Sequence, residues 1–220
     1  MNFDFLFMLQ AMAAAAGAIP RSLAIAFSAV FLGILLGSGL ALVRFYKVPF
    51  AGRAAQWFIT IIKGIPTILV YFILFTLLTQ STRIKTPIEL ITLLGITVGT
   101  SAEISEMIRG GLESVEKSQF DAALSIGHTG RHTLFRIILP QIVPVCVPVM
   151  SGVVIHAIKA LPVAVMIGLH DILNTAIAEA VINYRYLESY VAAALIFWAI
   201  FIAVEKGFSI IEKRYKQVKV

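Results

Sequence analysis

Five stretches of this chain are apolar, or nearly so, over the length a helix needs to cross a bilayer, and nothing else in the sequence restricts the fold as strongly. They lie near residues 20–43, 54–79, 87–109, 138–167 and 188–209, against about 20 helical residues for a hydrocarbon core. A soluble alternative fails on composition. Of 220 residues 59% are hydrophobic and 14% charged, with a mean hydropathy of +0.92, which leaves too little charged skin to cover a water-exposed domain. The expected fold class is therefore an all-α polytopic membrane protein of about five transmembrane helices. Short linkers place all of residues 1–220 in a single transmembrane domain.

Local features refine that picture. The fourth stretch carries Pro140, Pro144, Pro148 and Pro162, so a kinked or broken helix is expected, with neighbours satisfying the freed carbonyls. Gly33, Gly37 and Gly39 let the first span approach a neighbour closely. Segment 1–19 lacks a basic leader and carries Asp4, which reads as an interfacial helix ahead of the first span. Cys146, alone and inside an apolar run, suits a small buried residue rather than a disulfide or metal ligand.

Basic residues set the expected orientation. Twelve of them (Arg44, Lys47, Arg53, Arg109, Lys117, Arg131, Arg136 and five from Lys206 onward) border one side, and Arg21, Arg83, Lys85 and Arg185 the other. The bias places the N-terminus outside and the C-terminus in the cytoplasm. These cations flank spans instead of forming one aromatic-laced patch, so nucleic acid is not an expected partner; membrane lipid is.

On this reading the polar stretch 110–137 faces the cytoplasm. Ser118 followed by Asp121 fits a capping box that would start a short helix. Ala122 and Ala123 give it a small-residue face on which another protein can sit, Gly127 suits a left-handed C′ position, and Thr129 can cap a second helix running through Leu134 and Phe135 into the fourth span. A rigid knob on the membrane surface results.

The spacing Asp121-Ala122-Ala123, three residues, Gly127, nine residues, Ile137-Ile138-Leu139-Pro140 resembles the Glu-Ala-Ala signature of permease subunits of bacterial type I ATP-binding-cassette importers. SEMIRGGLESV at 105–115, KGIP at 63–66, IILPQ at 137–141 and Lys159 are similar to stretches of the polar amino acid permease family. The likeness spans roughly residues 15–217. It implies the type I importer permease fold in a bacterial inner membrane, with 110–137 as the coupling-helix loop. It also implies ATPase subunits, a second permease subunit (the same chain or a paralogue) and an extracellular substrate-binding protein as partners. Asp121, Ala122, Ala123 and Gly127 would then dock the ATPase. No GxxxxGK[ST] phosphate loop occurs, so this chain is not expected to be an enzyme, and ATP and magnesium belong to the partner; the chain itself takes no cofactor and no metal.

Ionisable groups inside spans cost roughly 2.5–3.5 kcal/mol at the bilayer centre and face a cavity or each other. Glu103, Lys159, His156 and Thr67 are the candidate substrate path. Lys159 can meet a carboxylate from substrate or from Glu103, His156 suits an interhelical hydrogen bond equally well, and Thr67 follows the Gly64-Ile65-Pro66 break. Glu106 and Arg109, three apart, suit a structural ion pair. This chain departs from the family at Asp121 for Glu, at Val70 for Gln, at Pro144 and Gly152 for polar residues, and at Ala160-Leu161-Pro162 for Asp/Asn-Thr-Ser. Its path is less polar than a typical member's, which admits a bulkier or sulfur-containing amino acid or a related small solute. A stand-alone secondary transporter or channel is the alternative; it gives the Asp121 loop no purpose.

Overall fold

The computed structural model describes residues 3–80 and 85–217; Arg83 and Lys219 of the charge bias lie outside the described residues. In chain order the helices are α1 Phe5–Ala16, α2 Ile19–Phe45, α3 Ala51–Gly64, α4 Thr67–Gln80, α5 Ile88–Glu113, α6 Lys117–Ser125, α7 Gly130–Thr133, α8 Leu139–Ala160, α9 Ile172–Asn183 and α10 Tyr186–Gln217. Four continuous runs, Ile19–Phe45, Ile88–Glu113, Gly130–Ile167 and Tyr186–Tyr215, are long and apolar enough to cross a membrane. The fifth expected span is a bent pair, Ala51–Gly64 and Thr67–Thr79, with 111° between its halves.

That bend has a local cause. Pro66 offers no backbone N–H and disfavours helical geometry at the residue before it, and Ile65 accordingly takes φ −96°, ψ 130°. Each half has 14 residues, about 21 Å at 1.5 Å per residue, too short to cross alone. The span expected over 54–79, with its break at Gly64-Ile65-Pro66, is therefore two half-helices meeting at a corner.

The proline-rich segment behaves differently. Pro144 and Pro148 sit inside α8 without dividing it. Irregularity collects at its ends instead. Before Pro140 the chain widens into a π turn over Leu134–Ile138, with the Leu139 N–H reaching the Leu134 carbonyl, and the Gln141 side chain donates to the Ile137 carbonyl at 3.0 Å. After Ala160 it tightens into a 3₁₀ turn, Pro162–Ile167. Tyr71, fully buried, donates its hydroxyl to the Ala160 carbonyl at 3.1 Å. Neighbouring side chains thus satisfy carbonyls at both irregular ends, as lipid requires.

Helix α9 fills the interval between the fourth and fifth expected spans, where the sequence reading placed no element. Asp171 caps it, accepting the Asn174 N–H at 2.8 Å. Burial pushes the Asp171 carboxyl above the usual carboxylate range, against the backbone N–H groups that favour its charged form. Within the expected interfacial segment, Phe5–Ala16 form α1, capped by Asp4 through the Phe7 N–H at 3.0 Å. Its Met8, Ala11 and Ala15 are buried against α9 and α10. Asp4 holds Arg185 at 3.2 Å and donates its N–H to Glu188 at 3.1 Å, which fixes the start of α1 to the start of α10.

The tightest packing joins α2 to α5. A Cβ built on Gly37 would lie 2.6 Å from the Ser101 carbonyl oxygen and 2.9 Å from the Ile104 Cβ, and one on Gly33 would overlap the Thr100 hydroxyl. Without a hydrophobic drive between helices in lipid, such close backbone approach is what holds them together. Gly39 takes no part; nothing lies within 4 Å of its missing Cβ. Replacing Gly37 with alanine should cost about 1–3 kcal/mol through overpacking against backbone, whereas Gly39→Ala should leave stability unchanged or slightly raised. Thermal unfolding of the purified complex in detergent, followed by tryptophan fluorescence, separates the two; equal melting temperatures would contradict the packing.

Candidate functional site

The corner between α3 and α4 opens onto a cavity of about 360 Å³. Thr67 lines it from the first turn of α4, Glu103 from α5, and His156 and Lys159 from one face of α8. Gly95 and Gly99 share the lining. Gly95 yields its space to the Tyr71 ring, while nothing occupies the Cβ direction of Gly99, so small residues on α5 keep the hollow open beside the helix corner.

Two lining side chains pair directly: His156 Nδ1 lies 3.3 Å from Glu103 Oε1. The structure corrects the expectation that Lys159 reaches Glu103. Lys159 Nζ instead stands 5.9 Å from the Phe201 ring centroid, a cation–π arrangement, and among the described residues it forms no ion pair. It also lines a second hollow of about 300 Å³ with Phe197, Trp198 and Phe201 of α10. Among the described residues its ammonium thus has no carboxylate to neutralise it, although Glu103 lines the same cavity.

Below the cavity α5 carries a chain of charges. Glu106 binds Arg109 at 3.1 Å and Arg44 at 2.6 Å, and Arg109 binds Glu113 at 2.6 Å. Arg44 also points Nη1 at the Ser105 hydroxyl, 3.5 Å away. The sequence reading treated Arg44 only as a loop cation. Its position in the last turn of α2, beside a span bearing a carboxylate, was the available signal; two apposed helix ends cannot be paired from one sequence alone.

The knob between α5 and α8 has defined caps. Helix α6 starts at Lys117, with Glu116 extended ahead of it (φ −60°, ψ 131°). The Ser118 hydroxyl donates to the Glu116 carboxylate at 3.0 Å instead of capping, so the capping box expected from Ser118 and Asp121 does not form; the helix begins two residues too early for it, with Glu116 at the N-cap position. At the other end Gly127 has φ +91°, the His128 N–H reaches the Ala123 carbonyl at 3.1 Å and the Gly127 N–H the Leu124 carbonyl at 3.0 Å. This is a Schellman ending, which needs a left-handed residue. Thr129 accepts the His132 N–H at 3.3 Å and caps α7. The two alanines diverge: Ala123 is buried at 5% exposure within its own chain, and Ala122 is exposed together with Asp121. Ile126, 76% exposed, stands at the tip beside Gly127. Phe120 packs edge-on against Phe45 with ring centroids 6.1 Å apart, joining the knob to the same end of α2 that holds Glu106.

Residues 29–217 match the family described as binding-protein-dependent transport system inner membrane component. The chain belongs to that family. It is thus a multi-pass inner-membrane permease subunit, and such subunits carry no ATPase activity of their own. The permease is 28% identical to a probable amino-acid ABC transporter permease protein, PatM, of Vibrio harveyi, over 94% of this chain and 93% of that one. It is 31% identical to the probable amino-acid ABC transporter permease protein YckA of Bacillus subtilis (strain 168), over 90% and 87%. Among solved structures, one described as an amino acid ABC transporter with histidines superposes with a TM-score of 0.89 at 26% identity, covering 97% of the permease and 100% of that chain.

Tyr71 ties this site to the end of α8. Tyr71→Phe keeps the ring against Gly95 but removes the hydrogen bond to the half-buried Ala160 carbonyl, at about 0.5–1.5 kcal/mol. The melting temperature of the purified complex should fall, and an unchanged value would mean that the carbonyl finds another donor.

Proposed function

We propose that this permease forms the translocation path of an ATP-driven importer for an amino acid or a closely related small polar solute, and that the path runs through the cavity at the α3–α4 corner. The observation that carries this reading is the convergence of Thr67, Glu103, His156 and Lys159 on one hollow at a helix break. Broken helices in transporters turn backbone groups toward a solute, and a carboxylate and an ammonium on opposite walls suit a zwitterion. The amino-acid transporters among the relatives support the substrate class. The excess of basic residues supports a cytoplasmic C-terminus and knob and an outward N-terminus.

Coupling is assigned to residues 117–130. An ATPase subunit docks on the exposed face of α6 formed by Asp121, Ala122 and Ile126, with Gly127 setting the angle of the turn and Ala123 packing the helix onto its own chain. A second permease subunit completes the membrane part, and an extracellular binding protein delivers the solute. Through Phe120–Phe45 and the Arg44–Glu106–Arg109 chain, displacement of α6 is passed to α2 and α5.

Two experiments test this reading in vesicles reconstituted with the whole transporter. Lys159→Ala or Glu103→Gln should lower uptake about ten- to a hundredfold, the loss of one charge-assisted hydrogen bond at about 1.5–3 kcal/mol, with insertion and ATPase assembly intact. Parental uptake in both variants would remove these residues from the path. Gly127→Val forces a β-branched side chain into φ +91°, at a cost of about 1–3 kcal/mol. Hydrolysis should then lose its stimulation by the loaded binding protein, and Ala122→Trp should abolish copurification of the ATPase. Normal coupling and assembly in both would show that the knob is not the joint.

A further inference from the structure

The elbow between α2 and α3 carries a third, separate hollow of about 540 Å³. Its lining includes Arg44, Lys47, Arg53 and Gln56 and no carboxylate. Arg44 is anchored by Glu106, while Lys47 and Arg53 have no carboxylate partner among the described residues. We infer that this elbow is a binding site for the phosphate headgroup of an anionic phospholipid.

Three features support that occupant. The first is depth. With 27 residues α2 extends about 40 Å, more than the roughly 30 Å hydrocarbon core, so its Arg44 end reaches the headgroup layer. Phe50 lines the hollow at 84% exposure, and Tyr46 and Trp57, next in sequence to the lining residues Lys47 and Gln56, are also exposed, as aromatic residues are where a membrane protein meets that layer.

The second feature is the backbone. The Lys47 N–H bonds the Arg44 carbonyl at 3.0 Å and the Val48 N–H the Val43 carbonyl at 3.1 Å, a Schellman ending with a lysine where glycine is favoured. Lys47 has φ +50°. Three residues on, the Ala51 N–H bonds the Pro49 carbonyl at 2.7 Å across Phe50, whose φ is +60° and ψ −55°, a rare and strained γ-turn. A lysine and a phenylalanine held at positive φ around one cationic hollow mark a place where the side chains, not the turn, set the residue choice. Charge is the third feature. Unopposed cations at the membrane surface attract anionic lipid, each contributing about fivefold in affinity.

The test uses the whole transporter in phosphatidylcholine bilayers with and without phosphatidylglycerol, with retained phosphatidylglycerol counted by native mass spectrometry. The variant Lys47→Gly/Arg53→Gln removes both cations while glycine relieves the strained turn, so folding is preserved. It should weaken phosphatidylglycerol retention about 25-fold, and in pure phosphatidylcholine it should melt no lower than the parent. Lys213→Gln/Arg214→Gln, at the end of α10, should retain the lipid. Equal loss in that control would reduce the effect to overall charge and overturn the site. Displacement of the lipid by free glycerol phosphate at matched concentration would assign the hollow to a soluble phosphate instead. Unchanged lipid retention with loss of the ATPase would make the elbow a protein contact and also overturn it.

Discussion

The close approach of α2 and α5 is the contact on which the remaining geometry depends. Gly37 stands against the Ser101 carbonyl and Gly33 against Thr100, so the two helices touch along their backbones. Thr97 and Thr100 return their hydroxyls to the carbonyls of their own helix, at 2.7 Å to Leu93 and 2.9 Å to Ile96. The seam is polar in composition yet presents little unpaired polarity, which is what lipid tolerates. Once α5 is fixed by this seam, Glu103 faces the cavity and Glu106 faces Arg44, because the two carboxylates sit one turn apart on a helix that cannot rotate.

From that fixed helix the site follows by two interruptions. The chain breaks at Ile65–Pro66, and Thr67, directly after the break, lines the cavity. The chain also changes pitch at both ends of α8, where the Gln141 and Tyr71 side chains donate to the Ile137 and Ala160 carbonyls. The two changes of pitch at α8 are cheap because a protein side chain stands ready at each. The same economy explains why Pro144 and Pro148 leave α8 continuous: a helix packed between α2, α5 and α10 has neighbours to hold it straight through both prolines.

Much of this was legible in the sequence, because apolar length, proline and glycine act locally. The helix break at Gly64-Ile65-Pro66, the left-handed Gly127 and the Thr129 cap depend only on neighbouring residues. What escaped were features decided by tertiary contact. Helix α9 is too short to register as a span and is recognisable only from its packing against α1 and α10. The inward turn of Ala123 depends on which face of α6 its own chain covers. Lys159 pairs with an aromatic ring on α10 and not with Glu103, and Arg44 with Glu106, partners that lie 42 and 62 residues away. The capping box failed for a different reason: α6 starts at Lys117, which puts Ser118 inside the first turn and out of the N-cap position.

The central claim is that the cavity at the α3–α4 corner is the wet path of the solute, and accessibility of Thr67 tests it most directly. In a Cys146→Ser background, Thr67→Cys can be labelled with a membrane-impermeant methanethiosulfonate reagent in the reconstituted transporter. The account predicts labelling from the aqueous phase, slowed by the transported amino acid with its binding protein and altered when ATP is trapped on the partner. A cysteine at this position that never reacts with the aqueous reagent, or reacts at one rate in every state, would contradict it.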